Sequence, residues 1–272
     1  MDKGIHFISG LPRSGSTLLS ALLRQNPQIH ANITSPVGSI FLTALREMSE
    51  QNEGAVFIND ERRREVLLGI VKGFYYDIHK QKTVFDTNRL WCSKLPTVCA
   101  LYPEAKVICC VRDVPWIYDS VERLIRRNAL QPSKIFNFEA TGTVYDRFDG
   151  LNRSTGLIGF AWAALRQSYF SEEANRLLLI NYETLTQNPQ KALEAIYEFV
   201  GMPSFKHDFN SIEFDATEFD QRLGTPGLHT VGKSIRTEMR TRTILPPELF
   251  QRVAGDNFWK DPTRNLFGAT VI

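Results

Sequence analysis

The segment Gly10-Leu11-Pro12-Arg13-Ser14-Gly15-Ser16-Thr17 holds the residue types that grip an anion. The spacing of Gly10 and Gly15 matches the phosphate loop G-x-x-x-x-G-K-[ST]. Glycines let the backbone adopt positive φ and close around a ligand. The N–H groups at the start of a following helix add partial positive charge. One position differs from that motif. Its lysine is Ser16 here, and positive charge comes from Arg13 inside the loop. The change counts against Mg²⁺-dependent nucleotide hydrolysis, which uses that lysine. Taken alone, the segment also reads as a Ser/Gly turn capped by Ser14 or Ser16, with Arg13 in solvent.

A second group centres on Val111-Arg112-Asp113, with Ser120 beyond it. Arg112 follows the apolar run 106–111, so it leaves a buried strand at its carboxyl end. That edge is where open α/β sheets bind ligands. A forked guanidinium and a hydroxyl converging there can hold a second phosphate. The competing reading pairs Arg112 with Asp113 or Asp119 and leaves Ser120 on a helix surface.

The elements that must position these groups follow from periodicity. Strands are expected at 5–9, 83–85, 106–111 and 177–180, all short and apolar. Helices are expected after the loop (Leu18, Leu19, Leu22, Leu23), then over 39–51, 59–80, 96–102, 115–128, 155–175, 189–200 and 246–253. Residues 129–156 lack a clean period and read as a long loop covering a site. Apolar strands alternating with helices predict an α/β fold, a central parallel sheet between helical layers. No linker splits the chain, so one domain over 1–272 is expected, with 204–272 as a covering segment.

The 272 residues are 43% hydrophobic and 23% charged, and Lys and Arg exceed Asp and Glu by 32 − 30 = +2. That balance lacks the clustered basic face of a nucleic-acid binder. Cys92, Cys99, Cys109 and Cys110 show no metal-ligand spacing, so no metal site is expected, and Cys109 and Cys110, inside an apolar run, read as reduced core thiols. No apolar run approaches membrane-spanning length, and the opening residues do not read as a leader. A cytoplasmic protein that does not engage membranes is the expectation.

Pro12-Arg13-Ser14-Gly15-Ser16-Thr17 resembles the 5′-phosphosulfate loop of sulfotransferases that use 3′-phosphoadenosine 5′-phosphosulfate (PAPS). Val111-Arg112-Asp113 with Ser120 resembles their 3′-phosphate motif. Asn181-Tyr182-Glu183 and Pro189 resemble a segment of the tyrosylprotein sulfotransferases. The likeness covers about the first 200 residues. It implies a P-loop-NTPase-like three-layer sandwich and metal-free, in-line transfer of a sulfuryl group, leaving 3′,5′-adenosine bisphosphate (PAP). It implies that Pro12 to Thr17 hold the 5′-phosphosulfate, with Arg13 also stabilising transferred charge. Arg112 and Ser120 would hold the 3′-phosphate, and Tyr182 would touch the nucleotide.

Ser93-Lys94-Leu95-Pro96 resembles the stretch where tyrosylprotein sulfotransferases carry a lysine and cytosolic ones a catalytic histidine. Lys94 is thereby assigned to the bridging oxygen, where negative charge builds; a surface lysine opening a helix is the alternative. The tyrosylprotein group carries its glutamate base shortly after the first helix. Asn32-Ile33-Thr34-Ser35-Pro36 offers no carboxylate there. Asp86, at a strand end, is the first candidate base, with an N-cap or an ion pair to Arg89 as its competing role. His30 is the second. Within Gly227-Leu228-His229-Thr230-Val231-Gly232-Lys233, Gly232 and Lys233 either close over the 3′-phosphate and adenine or form a polar turn. Arg236, Arg240 and Arg242 read as a solvated face. The expected acceptor is a hydroxyl or amino group of a small molecule, such as a specialised metabolite. The alternatives are a P-loop kinase or NTPase, a protein-tyrosine sulfotransferase, and a non-catalytic nucleotide binder.

Overall fold

The computed structural model describes residues 4–139, 142–235, 237–238 and 240–272. Arg236 lies outside the described residues. In chain order the strands are β1 (Ile5–Gly10), β2 (Ile29–Ala31), β3 (Thr83–Thr87), β4 (Val107–Val111), β5 (Leu177–Asn181) and β6 (Thr270–Val271). The helices are α1 (Ser16–Leu23), α2 (Val37–Glu47), α3 (Asp60–Phe74), α4 (Leu90–Ser93), α5 (Leu95–Leu101) and α6 (Val114–Arg127). They continue as α7 (Val144–Asn152), α8 (Leu157–Tyr169), α9 (Tyr182–Gln187), α10 (Pro189–Phe199), α11 (Thr217–Arg222) and α12 (Pro247–Arg252).

Among the described residues the strands form one six-stranded sheet in the order β2-β3-β1-β4-β5-β6. Each pairing is parallel, as the apolar strands predicted. Alternate residues of the central strands enter different cores. Phe7, Val107, Cys109, Leu177 and Leu179 join the core with α3, α5, α6 and α8. Ile8, Ile108, Cys110, Leu178 and Ile180 join the core with α1 and α10. Burial on both faces explains the continuous apolar runs, and each fully buried large aliphatic stabilises the fold by roughly 1.5–3 kcal/mol.

Edge and covering elements depart from the sequence reading. β2 and β6 are only three and two residues long, too short for a periodic signal. Part of 129–156 is not loop: Thr143 and Asp146 form a reciprocal capping box that starts α7, and Arg147 reaches the buried Glu122 of α6 at 2.6 Å. Asn59 caps α3 as expected, but the helix stops at Phe74. The free cysteines are in the core or half-buried, and Cys92 and Cys109 lie 3.5 Å apart, sulfur to sulfur. No helix of the described residues is long and apolar enough to cross a membrane.

Asp86 shows what holds the N-terminal half together. It sits in β3 opposite Phe7 of β1, fully buried. Its Oδ1 accepts from Trp91 Nε1 at 2.6 Å, and its Oδ2 accepts from Tyr75 O–H at 2.6 Å and from the Ser35 hydroxyl. One carboxylate therefore ties β3 to α4, to the end of α3 and to the turn before α2. Burial pushes its pKa up, while these donors work the other way. We expect Asp86→Ala to lose about 3 kcal/mol or more in urea unfolding, because it leaves buried donors unpaired at about 1–3 kcal/mol each. A stable Asp86→Ala protein that has lost turnover would instead make Asp86 a base.

Candidate active site

The loop after β1 is built by close backbone approach. Gly10 has φ +94°, and a Cβ there would lie 2.4 Å from the Cys110 carbonyl oxygen of β4. Leu11 N–H also donates to that oxygen, at 2.8 Å. Gly15 has φ +97°, and a Cβ there would press on Leu185 and Tyr182 of α9. Gly15 caps α1 with no side-chain bond, so the first N–H groups of that helix face the loop unclaimed. Ser14 is buried and turned inward, its hydroxyl donating to the Pro12 carbonyl at 3.3 Å, whereas Ser16 and Thr17 are half-buried at the helix start. Arg13 itself takes φ +58°, a conformation few side chains adopt and one that collects at functional sites.

That backbone turn sends Arg13 across to α6, where its Nε donates to Ser120 Oγ at 3.2 Å. Arg112, leaving β4, comes to the same place. Its Nη1 approaches the Arg13 carbonyl at 3.5 Å, and its guanidinium stacks 4.2 Å from the Tyr182 ring centroid. Burial, and then the charge of Arg112, push the Arg13 pKa down to about 10. Burial lowers Arg112 as well. Neither guanidinium has a carboxylate in a salt bridge among the described residues. Asp119 is taken by Arg123 and Arg240, and Asp113 by Lys260. Arg112 Nε is buried without a hydrogen-bond partner. The Arg13 guanidinium on Ser120 and the Arg112 guanidinium, with its orphaned Nε, thus lie side by side, and the charge they are short of is negative.

On the other side of Arg13 lies a cavity of about 290 Å³. The loop forms its floor through Gly10, Leu11, Pro12, Arg13 and Ser16, and Thr87, Asn88 and Arg89 enter from the end of β3. Leu223, Thr225, Leu228 and His229 close one wall. His229 Nδ1 lies 2.6 Å from Asp220 Oδ1, and Asp220 Oδ2 accepts the His229 backbone N–H at 2.8 Å. With Nδ1–H donating to a buried carboxylate, Nε2 is left as the acceptor. Burial lowers the His229 pKa; Asp220 opposes this, while Arg89 and Arg13 add to it. The ring therefore stays neutral at neutral pH. Arg89 makes no side-chain ion pair among the described residues, and burial pushes it down to about 10.

The structure brings Pro12 to Thr17, Arg112, Ser120 and Tyr182 together. Other expected residues fall elsewhere. Asp86 is buried behind its donors and is absent from the cavity lining. His30 lies in edge strand β2, edge-on to Tyr75 at 5.6 Å, and is also absent from it. Lys94 stands between α4 and α5 and is absent from the lining. The strand-end cation in the cavity is Arg89, which sequence reasoning treated only as a partner for Asp86. Gly232 and Lys233 are exposed; the Lys233 carbonyl accepts from Ile212 N–H, and its side chain lines a surface depression with Arg24 and Asp215. Neither lines the 290 Å³ cavity. Arg240, expected in solvent, reaches Asp119 at 3.3 Å. Among the described residues no group of His, Cys, Asp and Glu is arranged to hold a metal.

With this geometry in hand, the comparisons decide the family. A model described as "Sulfotransferase family" matches residues 6–208. The chain belongs to that family. It is 23% identical over 248 residues to a putative protein-tyrosine sulfotransferase of Caenorhabditis briggsae, covering 82% of this chain and 78% of that one. It is 34% identical over 111 residues to carbohydrate sulfotransferase 1 of Mus musculus, covering 40% of this chain and 24% of the mouse protein. Protein-tyrosine sulfotransferase 1 of Danio rerio is 26% identical over 211 residues, 74% of this chain and 54% of that protein. In fold, the chain resembles the sulfotransferase domain from the curacin biosynthetic pathway, with TM-score 0.60 at 16% identity over 93% of this chain and 96% of that one. This sulfotransferase has the parallel α/β fold its strands predicted.

The lowered His229 pKa sets a test. A base must be unprotonated, so kcat/KM should fall with acid only below the usual imidazole value of about 6.5. Asp220→Asn removes the group that raises the His229 pKa and should move that acid limb to lower pH. His229→Gln should abolish the limb and cut kcat by at least about a hundredfold, the typical share of a positioned base. An unchanged profile in His229→Gln would exclude the role.

Proposed function

We propose that this sulfotransferase moves a sulfuryl group from PAPS to a hydroxyl of a small acceptor in the 290 Å³ cavity. The observation that carries the reading is Arg13 on Ser120 with Arg112 against the Arg13 backbone, neither in a salt bridge to a carboxylate among the described residues. Arg112 and Ser120 suit the 3′-phosphate that distinguishes PAPS from ATP. The loop N–H groups and the hydroxyls of Ser16 and Thr17 suit the 5′-phosphosulfate. Tyr182, already stacked on Arg112, borders the nucleotide.

The donor supplies an activated sulfur, and the chain's residues do the rest. His229 Nε2 takes the proton as the acceptor oxygen attacks, and Asp220 holds the ring in the required tautomer. Arg89 and Arg13 face the oxygen that gains negative charge as the old bond to sulfur breaks. The cavity lies between these groups and admits the acceptor. A serine in place of the motif lysine, and an arginine after β4, speak against a P-loop kinase.

Calorimetry with PAP in chelator should show binding, and Arg112→Ala should weaken it about ten- to a hundredfold, the worth of charge-assisted hydrogen bonds. In a PAPS-dependent assay, Arg89→Ala should lose at least about a hundredfold in kcat while Lys94→Ala stays near wild type. Binding of ATP only with Mg²⁺, and none of PAP, would sink the reading. The reverse ranking of Arg89 and Lys94 would return the charge role to Lys94.

A further inference from the structure

The acceptor cavity has a chemical bias of its own. Away from the loop, its wall is apolar: Ile33, Ile135, Leu157, Phe219 and Leu223. Phe219 stands beside the base, with ring centroids 5.6 Å apart. At about 30 Å³ per water-sized group, 290 Å³ holds on the order of ten heavy atoms. A short hydrocarbon chain or a single ring fits such a space.

The charges on the lining are one-sided. Arg13, Arg89 and Lys134 contribute to it, while no Asp or Glu does among the described residues. Asp220 lies behind His229, nearly sealed from solvent. Arg13 and Arg89 sit at the loop end, where the transferred group belongs. Lys134 comes from a separate element, the short turn Lys134–Phe136. Its side chain is exposed and has no ion pair among the described residues.

Its backbone, by contrast, is fixed. Lys134 N–H donates to the Leu223 carbonyl at 3.0 Å, and Ser133 caps the turn through Ile135 N–H at 3.0 Å. Ser133 also meets Thr225 at 3.4 Å, hydroxyl to hydroxyl. The turn is thus fastened to the same wall that carries His229. An unpaired ammonium on a fixed stem, at the rim of an apolar cavity, is arranged to receive an anion from a bound molecule.

We propose that the acceptor is a hydroxy acid: an apolar body with its hydroxyl near His229 and a carboxylate held by Lys134. The assignment rests on the sulfotransferase reading above and specifies its acceptor class. Lys134 is then a specificity-determining residue outside the chemistry.

The test uses the full chain loaded with PAP, and calorimetry with ω-hydroxy fatty acids from hexanoate to dodecanoate alongside their methyl esters. The acid of best-fitting length should bind at least about tenfold tighter than its ester, as expected for one charge-assisted contact. Added salt should weaken the acid and spare the ester. Lys134→Ala should erase the preference, and Lys134→Glu should shift it toward the matching ω-hydroxy alkylamine. Both variants should bind PAP as wild type does, which shows that they fold. PAP binding with no preference for acid over ester, or with a preference that survives Lys134→Ala, or with no acid bound at any length, overturns the hydroxy-acid assignment alone. Failure of the wild-type chain to bind PAP overturns the donor reading beneath it.

Discussion

Two arginines held side by side, neither in a salt bridge to a carboxylate among the described residues, are the constraint on which this structure turns. Arg13 and Arg112 repel each other, and burial makes each charge harder to carry. Left to themselves they would swing apart into water. They stay because backbone, more than side-chain preference, puts them there. Arg13 is pinned by a loop whose first glycine lies against the β4 backbone. Arg112 leaves that same β4 and is covered by Tyr182. The β1–β4 pairing, with Phe7 opposite Val107 and Gly10 opposite Cys110, therefore sets the spacing of the two charges. The free energy comes from the apolar core on both sheet faces, and the site draws on it.

The same arginine links the two halves of the site. Arg13 Nε reaches Ser120 on α6, and its Nη1 donates to the Leu228 carbonyl in the cavity wall. The next residue is His229. A charge placed at the loop is therefore felt, through one guanidinium and one peptide, at His229. Two buried aspartates hold the remaining chain against this centre. Asp119 accepts from Thr243 O–H at 3.0 Å and Ile244 N–H at 2.8 Å, drawing the C-terminal segment onto α6 beside Ser120. Asp220 holds His229 by backbone and ring together.

What could be read from the sequence was whatever has a local cause. The buried strands announce themselves because both faces need apolar residues. The phosphate loop does so because only glycine meets its φ and its contacts. Arg112 and Ser120 were placed by the strand and helix that carry them. The cavity was harder, because its residues meet only in space. Asp86 looked like a base at a strand end, yet the donors that occupy it come from Ser35, Tyr75 and Trp91, up to 51 positions away. Lys94 looked like the cation for the bridging oxygen, but the chain turns into α4 before reaching it, and the cation lining the cavity is Arg89. His229 was visible in a Gly-flanked stretch. Its partner nine residues earlier was not, since α11 is only six residues long and gives no period to follow.

The family model ends at residue 208, before Phe219, Asp220, Leu223, Leu228 and His229. The division has a physical sense. The sheet, the loop, Arg112 and Ser120 are placed by the β1–β4 pairing and the core on both its faces, and they fall inside the shared pattern. The wall from α11 to His229 lies beyond it and is fastened to the body by separable contacts: Leu223 to Lys134, Pro226 to Asn128 and Leu228 to Arg13. Those contacts use backbone carbonyls on the wall side, so its side chains can change without loosening it. A fold arranged in this way lets that wall change while the loop and the two arginines keep their geometry. The cavity takes one part of its lining, Lys134 included, from the matched residues and the other part from α11 to His229.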